Sequence, residues 1–170
     1  MAAGRECDPD LCRTCTMPWS ESQQASLSPK CGNMRLRLRQ HKRVVLANSS
    51  IAGWGAFLAD GAGKDEFLGE YTGDLITQAE ADRRGRVYDQ MNNSYLFDLN
   101  EQWVLDARYR GNKMRCANHS AQPNCKVRIL QVDGDHRVAI FANKNIAPGE
   151  ELFYDYRYDR EHAPNWAQKR

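Results

Sequence analysis

The chain has 170 residues, 41% hydrophobic and 27% charged, the size and balance of one globular domain with a small appendage. A formal net charge of +2 excludes a polycation, so any acidic partner has to be met by a local patch. No apolar run reaches the length of a membrane span, and the start Met-Ala-Ala-Gly-Arg-Glu carries no apolar signal core, so an intracellular protein with no membrane partner is expected.

Residues 1–33 are rich in Ser and Pro, poor in large apolar residues, and hold four of the six cysteines. Cys7, Cys12, Cys15 and Cys31 are spaced C-x4-C-x2-C-x15-C, which suits a tetrahedral zinc-thiolate site. Disulfides and a Cys12–Cys15 redox pair are the alternatives. The first lacks a secretion signal and the second lacks the strand-and-helix context it needs. Without a metal this stretch has too little apolar surface to order itself.

Over residues 34–46 the pattern alternates. Met34, Leu36 and Leu38 fall on one face, and Arg35, Arg37 and Arg39 on the other, with Lys42 and Arg43 beyond. That predicts a half-buried strand whose basic face is either simply solvated or a weak DNA-contacting patch over 35–43. Residues 51–60, I-A-G-W-G-A-F-L-A-D, read as a strand broken at Gly53 and Gly55, where a bulge forms or something approaches the backbone closely. Residues 67–76 read as a short strand with a glycine kink. Thr77 and Glu80 have capping-box spacing, and 78–91 is rich in helix formers and mostly charged, which predicts a surface helix. Short strands follow over 95–99, 103–106, 126–132 and 137–141, with Asp133-Gly134 as a hairpin turn and Pro148-Gly149 as another turn.

Between them, Arg115 to Cys125 reads R-C-A-N-H-S-A-Q-P-N-C. It is a loop, either a bland polar turn or one whose Asn118 and His119 meet a ligand. The last patterned stretch, E-L-F-Y-D-Y-R-Y, puts Tyr154, Tyr156 and Tyr158 on one face of an extended segment, a stripe that also suits a core. The tail over 159–170 is polar. The composite is a mostly β fold of small sheets with few short helices.

Each motif is weak alone, but the order is specific. Gly53-Trp54-Gly55, Gly69-Glu70-Tyr71, Arg115 to Cys125, and Glu151 to Tyr156 follow one another as in the SET domain, and the resemblance covers about residues 34–158. A-D-R-R-G-R-V-Y-D, G-N-K-M-R-C-A-N-H-S and G-E-E-L-F-Y-D-Y-R-Y resemble the Enhancer-of-zeste subfamily, the catalytic subunits of Polycomb repressive complex 2. C-G-N-M-R-L and A-P-N-W-A resemble its plant, curly-leaf-type members most. Residues 1–33 resemble the last part of that subfamily's cysteine-rich pre-SET (CXC) domain.

The resemblance implies small antiparallel sheets around a pseudoknot that sets Asn118-His119 beside the Tyr156 segment. It implies transfer of a methyl group from S-adenosylmethionine to a histone H3 tail lysine, transcriptional repression and a nuclear location. Tyr71, Phe97, Tyr154 and Tyr156 match the lysine channel, with Tyr156 the first choice as catalytic. Gly53, Trp54, Gly55, Tyr95, Asn118, His119 and Tyr156 match the cofactor site, Asn118 at the ammonium end and His119 through its backbone at the adenine. Ala107 and Ala117 match small positions beside the pocket. The implied partners are the nucleosome and the WD-repeat and zinc-finger subunits of the complex.

Three departures stand out. Cys116 replaces a large apolar residue, which predicts looser packing behind the cofactor loop. Tyr154 occupies a position linked to the number of methyl groups added. Only four cysteines remain of a larger zinc-binding set, so that site is expected to be incomplete. A SET module that binds nucleosomes or Polycomb partners without turnover is the alternative from another functional class.

Overall fold

The computed structural model describes residues 32–91 and 94–156. The four N-terminal cysteines, Tyr158 and the tail lie outside them. The described elements are α1 (Gly32–Arg37), β1 (Val44–Asn48), β2 (Trp54–Leu58), β3 (Phe67–Tyr71), β4 (Asp74–Thr77), α2 (Gln78–Gln90), β5 (Leu96–Asp98) and β6 (Trp103–Asp106). They continue with α3 (Ala107–Arg110), a 3-10 turn (Lys113–Cys116), β7 (Asn118–His119), β8 (Cys125–Val132), β9 (Asp135–Ala142) and β10 (Phe153–Tyr154).

The strands form four small sheets rather than one large one. β1 pairs with β2, β9 lies between β3 and β8, and β6 lies between β4 and β5, all antiparallel. The fourth sheet departs from the antiparallel expectation: β7 and β10 run parallel, with Phe153 opposite Asn118 and Tyr154 opposite His119. A parallel pair needs a long crossover, and here the whole β8–β9 hairpin supplies it. Asp133 (φ 54°) and Gly134 (φ 82°) close that hairpin with two consecutive left-handed residues, which matches the right-handed twist of its strands.

β9 is the centre of the core. Val138 to Ala142 are all buried, so both faces of the strand are covered. On one face, Ala56, Leu58, Leu68, Tyr71, Met114, Val138, Ile140, Leu152 and Tyr154 belong to one apolar cluster. On the other, Phe67, Val132, Ala139 and Phe141 close over Leu36.

That second cluster corrects the expectation of a strand over 34–46. Residues Gly32–Arg37 are helical and only β1 is extended. Leu36 is fully buried on the sheet, whereas Leu38 is 43% exposed. The helix stops in a Schellman motif: Gln40 N–H donates to Arg35 O (2.9 Å), Arg39 N–H donates to Leu36 O (3.1 Å), and Arg39 takes φ 52°. Glycine usually fills that position, so the period-two pattern had no stop signal to compete with it. The basic face is largely met within the chain. Arg35 (3.2 Å) and Lys42 (2.8 Å) both pair with Glu66, Arg37 with Asp133 (3.1 Å) and Arg43 with Asp60 (2.8 Å).

The helix expected over 78–91 is α2. Thr77 Oγ1 accepts from Glu80 N–H at 3.3 Å, which is half of the capping box. The Glu80 carboxylate engages Arg83 and Arg84 instead of reaching back to the cap. Arg84 also reaches Asp106 (2.8 Å), a fully buried carboxylate that accepts as well from Tyr88 OH (2.9 Å) and Arg108 N–H (3.0 Å). This knot of charge and hydroxyl joins α2 to the end of β6, next to the chain that carries the site.

Candidate functional site

The segment 150–156 runs between β2 on one side and the 118–124 loop on the other. Leu58 N–H donates to Glu150 O (3.0 Å) and Leu152 N–H to Ala56 O (2.8 Å), which ties it to β2. Asn124 ties it to the loop. Its buried side chain donates to Glu151 O (2.7 Å) and Glu150 Oε1 (3.0 Å) and accepts from Phe153 N–H (2.8 Å). These bonds satisfy the backbone of a segment too short to form a sheet of its own.

The four residues expected to line the channel pack along this seam. The rings of Tyr154 and Tyr156 lie 4.5 Å apart, and those of Tyr71 and Phe97 lie 5.6 Å apart. All four belong to, or pack against, the same apolar cluster. Tyr71 is buried and its hydroxyl donates to Tyr95 O at 2.9 Å. Burial, with the nearby Tyr156, Asp106 and Tyr95, pushes the Tyr71 hydroxyl far above the ordinary phenol range, so it stays neutral. The Tyr156 hydroxyl donates to Ala117 O at 2.8 Å, and its backbone N–H donates to His119 Nδ1 at 3.2 Å. Asp155 Oδ1 lies 3.8 Å from the same nitrogen, and the His119 and Tyr156 rings meet at a steep angle with centroids 5.3 Å apart. The Arg115 guanidinium lies over the Tyr95 ring at 5.3 Å and donates to Ala107 O at 3.0 Å. Ala107 and Ala117 are both fully buried.

Of the residues matched to the cofactor, Tyr95, His119 and Tyr156 lie with these aromatic residues, and Gly53, Trp54, Gly55 and Asn118 form a second group. Asn118 Nδ2 lies 2.9 Å from Glu151 Oε1 and 3.4 Å from both Ala52 O and Trp54 O. It holds the Gly53–Gly55 turn against the C-terminal strand. Gly53 has φ 50°, and Trp54 is 61% exposed beside it. Gly55 leaves room for the Glu151 side chain: a Cβ there would come within 2.8 Å of Glu151 Cδ and displace it.

Two residues of this group were missed in the sequence, Asn124 and Glu151. The adjacent Glu150-Glu151 after a Pro-Gly turn looks like solvated charge, yet Glu151 is only 9% exposed. Its one sequence signal is the apolar Leu152 that follows, in register with a strand.

Two clefts lie elsewhere. One of about 500 Å³ is lined by Arg39, His41, Glu70 and Arg137 among others, and one of about 430 Å³ runs along α2 past Asp82, Asp89 and Asp98. No predicted site residue lines either. Cys116 is half-buried, and burial pushes the thiol of Cys125 up to about 12.

A family model described as the SET domain matches residues 53–157. The histone-lysine N-methyltransferase EZA1 of Arabidopsis thaliana is 56% identical over 175 residues, covering 99% of this chain and 20% of that protein. The histone-lysine N-methyltransferase CLF of Oryza sativa subsp. japonica is 52% identical over 173 residues, covering 99% of this chain and 19% of that protein. Among solved structures, the Chaetomium thermophilum polycomb repressive complex 2 superposes with a TM-score of 0.75 at 35% identity, covering 92% of this chain and 21% of that one. A structure of ctPRC2 in complex with H3K27me3 and H3K27M gives a TM-score of 0.76 at 35% identity, covering 91% and 20%. The chain spans about a fifth of the length of the relatives it matches.

Proposed function

The chain belongs to the SET-domain family, and from that premise we propose that it is the catalytic region of a histone-lysine N-methyltransferase of the Enhancer-of-zeste type. Its reaction is methyl transfer from S-adenosylmethionine to a lysine of the histone H3 tail, carried out within a Polycomb repressive complex 2 on chromatin in the nucleus, with repression as the outcome. The observation that carries this reading is the meeting of Tyr71, Phe97, Tyr154 and Tyr156 beside the β7–β10 pair, one step from Asn118. Similarity to proteins named for that activity supports it.

The donor set fits the cofactor. Asn118 and the backbone of the Gly53–Gly55 turn offer polar groups to its amino-acid end, and the half-buried His119 backbone lies next to it. S-adenosylmethionine, when bound, supplies a sulfonium methyl group to a neutral amine. The residues of the chain then have two tasks. Their rings exclude water from the lysine stem and disfavour its ammonium form, lowering a pKa that is about 10.4 in water. Their hydroxyls hold the amine in line, which is a matter of position rather than of a protein nucleophile. The neutral Tyr71 hydroxyl and the tethered Tyr156 hydroxyl suit that role.

Cys7, Cys12, Cys15 and Cys31 are proposed to hold zinc, and WD-repeat and zinc-finger subunits to complete the working complex. The deciding experiment is transfer of label from S-adenosylmethionine to nucleosomes, by the protein alone and with those subunits, with the modified lysine located by mass spectrometry. Label on the H3 tail supports the proposal. Cofactor binding without label under either condition overturns it in favour of a binding module.

A further inference from the structure

We propose that Glu151 is a positioning residue for the methyl donor, acting through Asn118; this rests on the reading of the chain as an S-adenosylmethionine-dependent enzyme. Three oxygens surround one end of the Asn118 amide: Glu151 Oε1 at 2.9 Å, and Ala52 O and Trp54 O at 3.4 Å. Only the NH2 group fits there, because a carbonyl oxygen would face three acceptors. The orientation of the side chain is thereby fixed. Its Oδ1 atom, with no partner among the described residues, is presented to a donor such as an ammonium group.

Glu151 is itself held rigidly. Its residue bridges to Phe57 of β2, its carbonyl accepts from Asn124 (2.7 Å), and the next N–H donates to Ala56 O (2.8 Å). Its carboxylate packs on Gly55, where a Cβ would displace it. The residue is only 9% exposed, and no Lys or Arg pairs with it among the described residues. A carboxylate held here with no basic side chain beside it favours positive charge in the adjoining space. An ammonium arriving at Asn118 Oδ1, beside the Gly53–Gly55 backbone, places positive charge close to that carboxylate. One residue thus sets the orientation of the binding asparagine, the residue type allowed at position 55 and the sign of the ligand group accepted between them.

The test is binding of two ligands to the intact protein by calorimetry: S-adenosylmethionine, which has the ammonium, and 5′-methylthioadenosine, which lacks the amino-acid end. Glu151→Ala is expected to weaken S-adenosylmethionine by about tenfold or more, and methylthioadenosine by less than about twofold. Glu151→Gln, which still offers an oxygen to Asn118 but carries no charge, should recover only the part of the loss that comes from orientation. Asn118→Ala/Glu151→Ala should bind no worse than Asn118→Ala, because the two residues act in series. Equal weakening of both ligands by Glu151→Ala, or additive losses in the double variant, would overturn the role of Glu151 and leave the methyltransferase reading intact. Wild-type protein that binds neither ligand would overturn both.

Discussion

The Tyr156 hydroxyl donates to Ala117 O at 2.8 Å, so the segment that follows β10 is bonded directly to the residue that precedes the Asn118-His119 pair. The same tyrosine stacks on Tyr154 and receives the edge of His119. A ring held on both sides keeps its place when the hydroxyl is removed. Tyr156→Phe should therefore fold normally and lower single-turnover methyl transfer by about 100-fold, the cost of a misplaced reacting group. Loss of cofactor binding as large as the loss of rate would contradict a role at the amine.

Gly55→Ala forces a methyl group into the Glu151 carboxylate. The carboxylate has to turn aside to make room, and the Asn118 bond is lost as it does so. Cofactor affinity is expected to fall by about tenfold, the scale of one charge-assisted hydrogen bond. Unchanged affinity in titration calorimetry would mean that the loop absorbs the methyl group elsewhere.

Leu36→Ala empties the site between Phe67, Ala139 and Phe141. A large-to-small change in a fully buried position costs about 2–5 kcal/mol. Chemical denaturation of the two proteins measures it, and a loss below about 1 kcal/mol would contradict the packing of α1 on the sheet.

Asp106 governs an acid-dependent part of the stability. Burial raises its pKa, but the hydrogen bonds from Arg84, Arg108 N–H and Tyr88 outweigh that and leave it below the ordinary carboxylate range. A lowered folded-state pKa contributes stability that is present above the unfolded value, about pH 4, and is lost as pH falls through the folded value. Asp106→Asn should cost about 1–3 kcal/mol at pH 7, and its gap from wild type should close on acidification. Parallel denaturant titrations from pH 7 to pH 3 test this, and a gap constant with pH would sink it.

Metal analysis of the purified wild type should find zinc, and Cys12→Ser should release it without unfolding the β3–β9–β8 sheet. A metal-free wild type with the sheet intact would rule out the thiolate site.

Legibility in the sequence followed locality. Asp133-Gly134 and Thr77 act through neighbours one to three residues away, and both did what their chemistry predicts. Leu36 was legible as buried but not as helical, because its partners Phe67, Val132 and Phe141 are remote in sequence, and Arg39 gives no written sign of a left-handed stop. The tyrosines announced a stripe, and reading that stripe as a lysine channel rests on the resemblance to a known motif order. Glu151 drew no reading of its own, because its burial comes from Gly55 and Asn118, which no local pattern connects to it.

The parallel β7–β10 pair also has a consequence in time. Asn118 and Glu151 are 33 residues apart, and the hairpin that separates them closes through near-neighbour contacts. Contacts that bridge long loops form after local ones, since the loop-closure entropy has to be met first. The hairpin therefore forms before Asn118 meets Glu151, and the β7–β10 pair is among the last contacts to close. A ligand that bound at the Asn118–Glu151 contact would stabilise the domain only once that closure is complete.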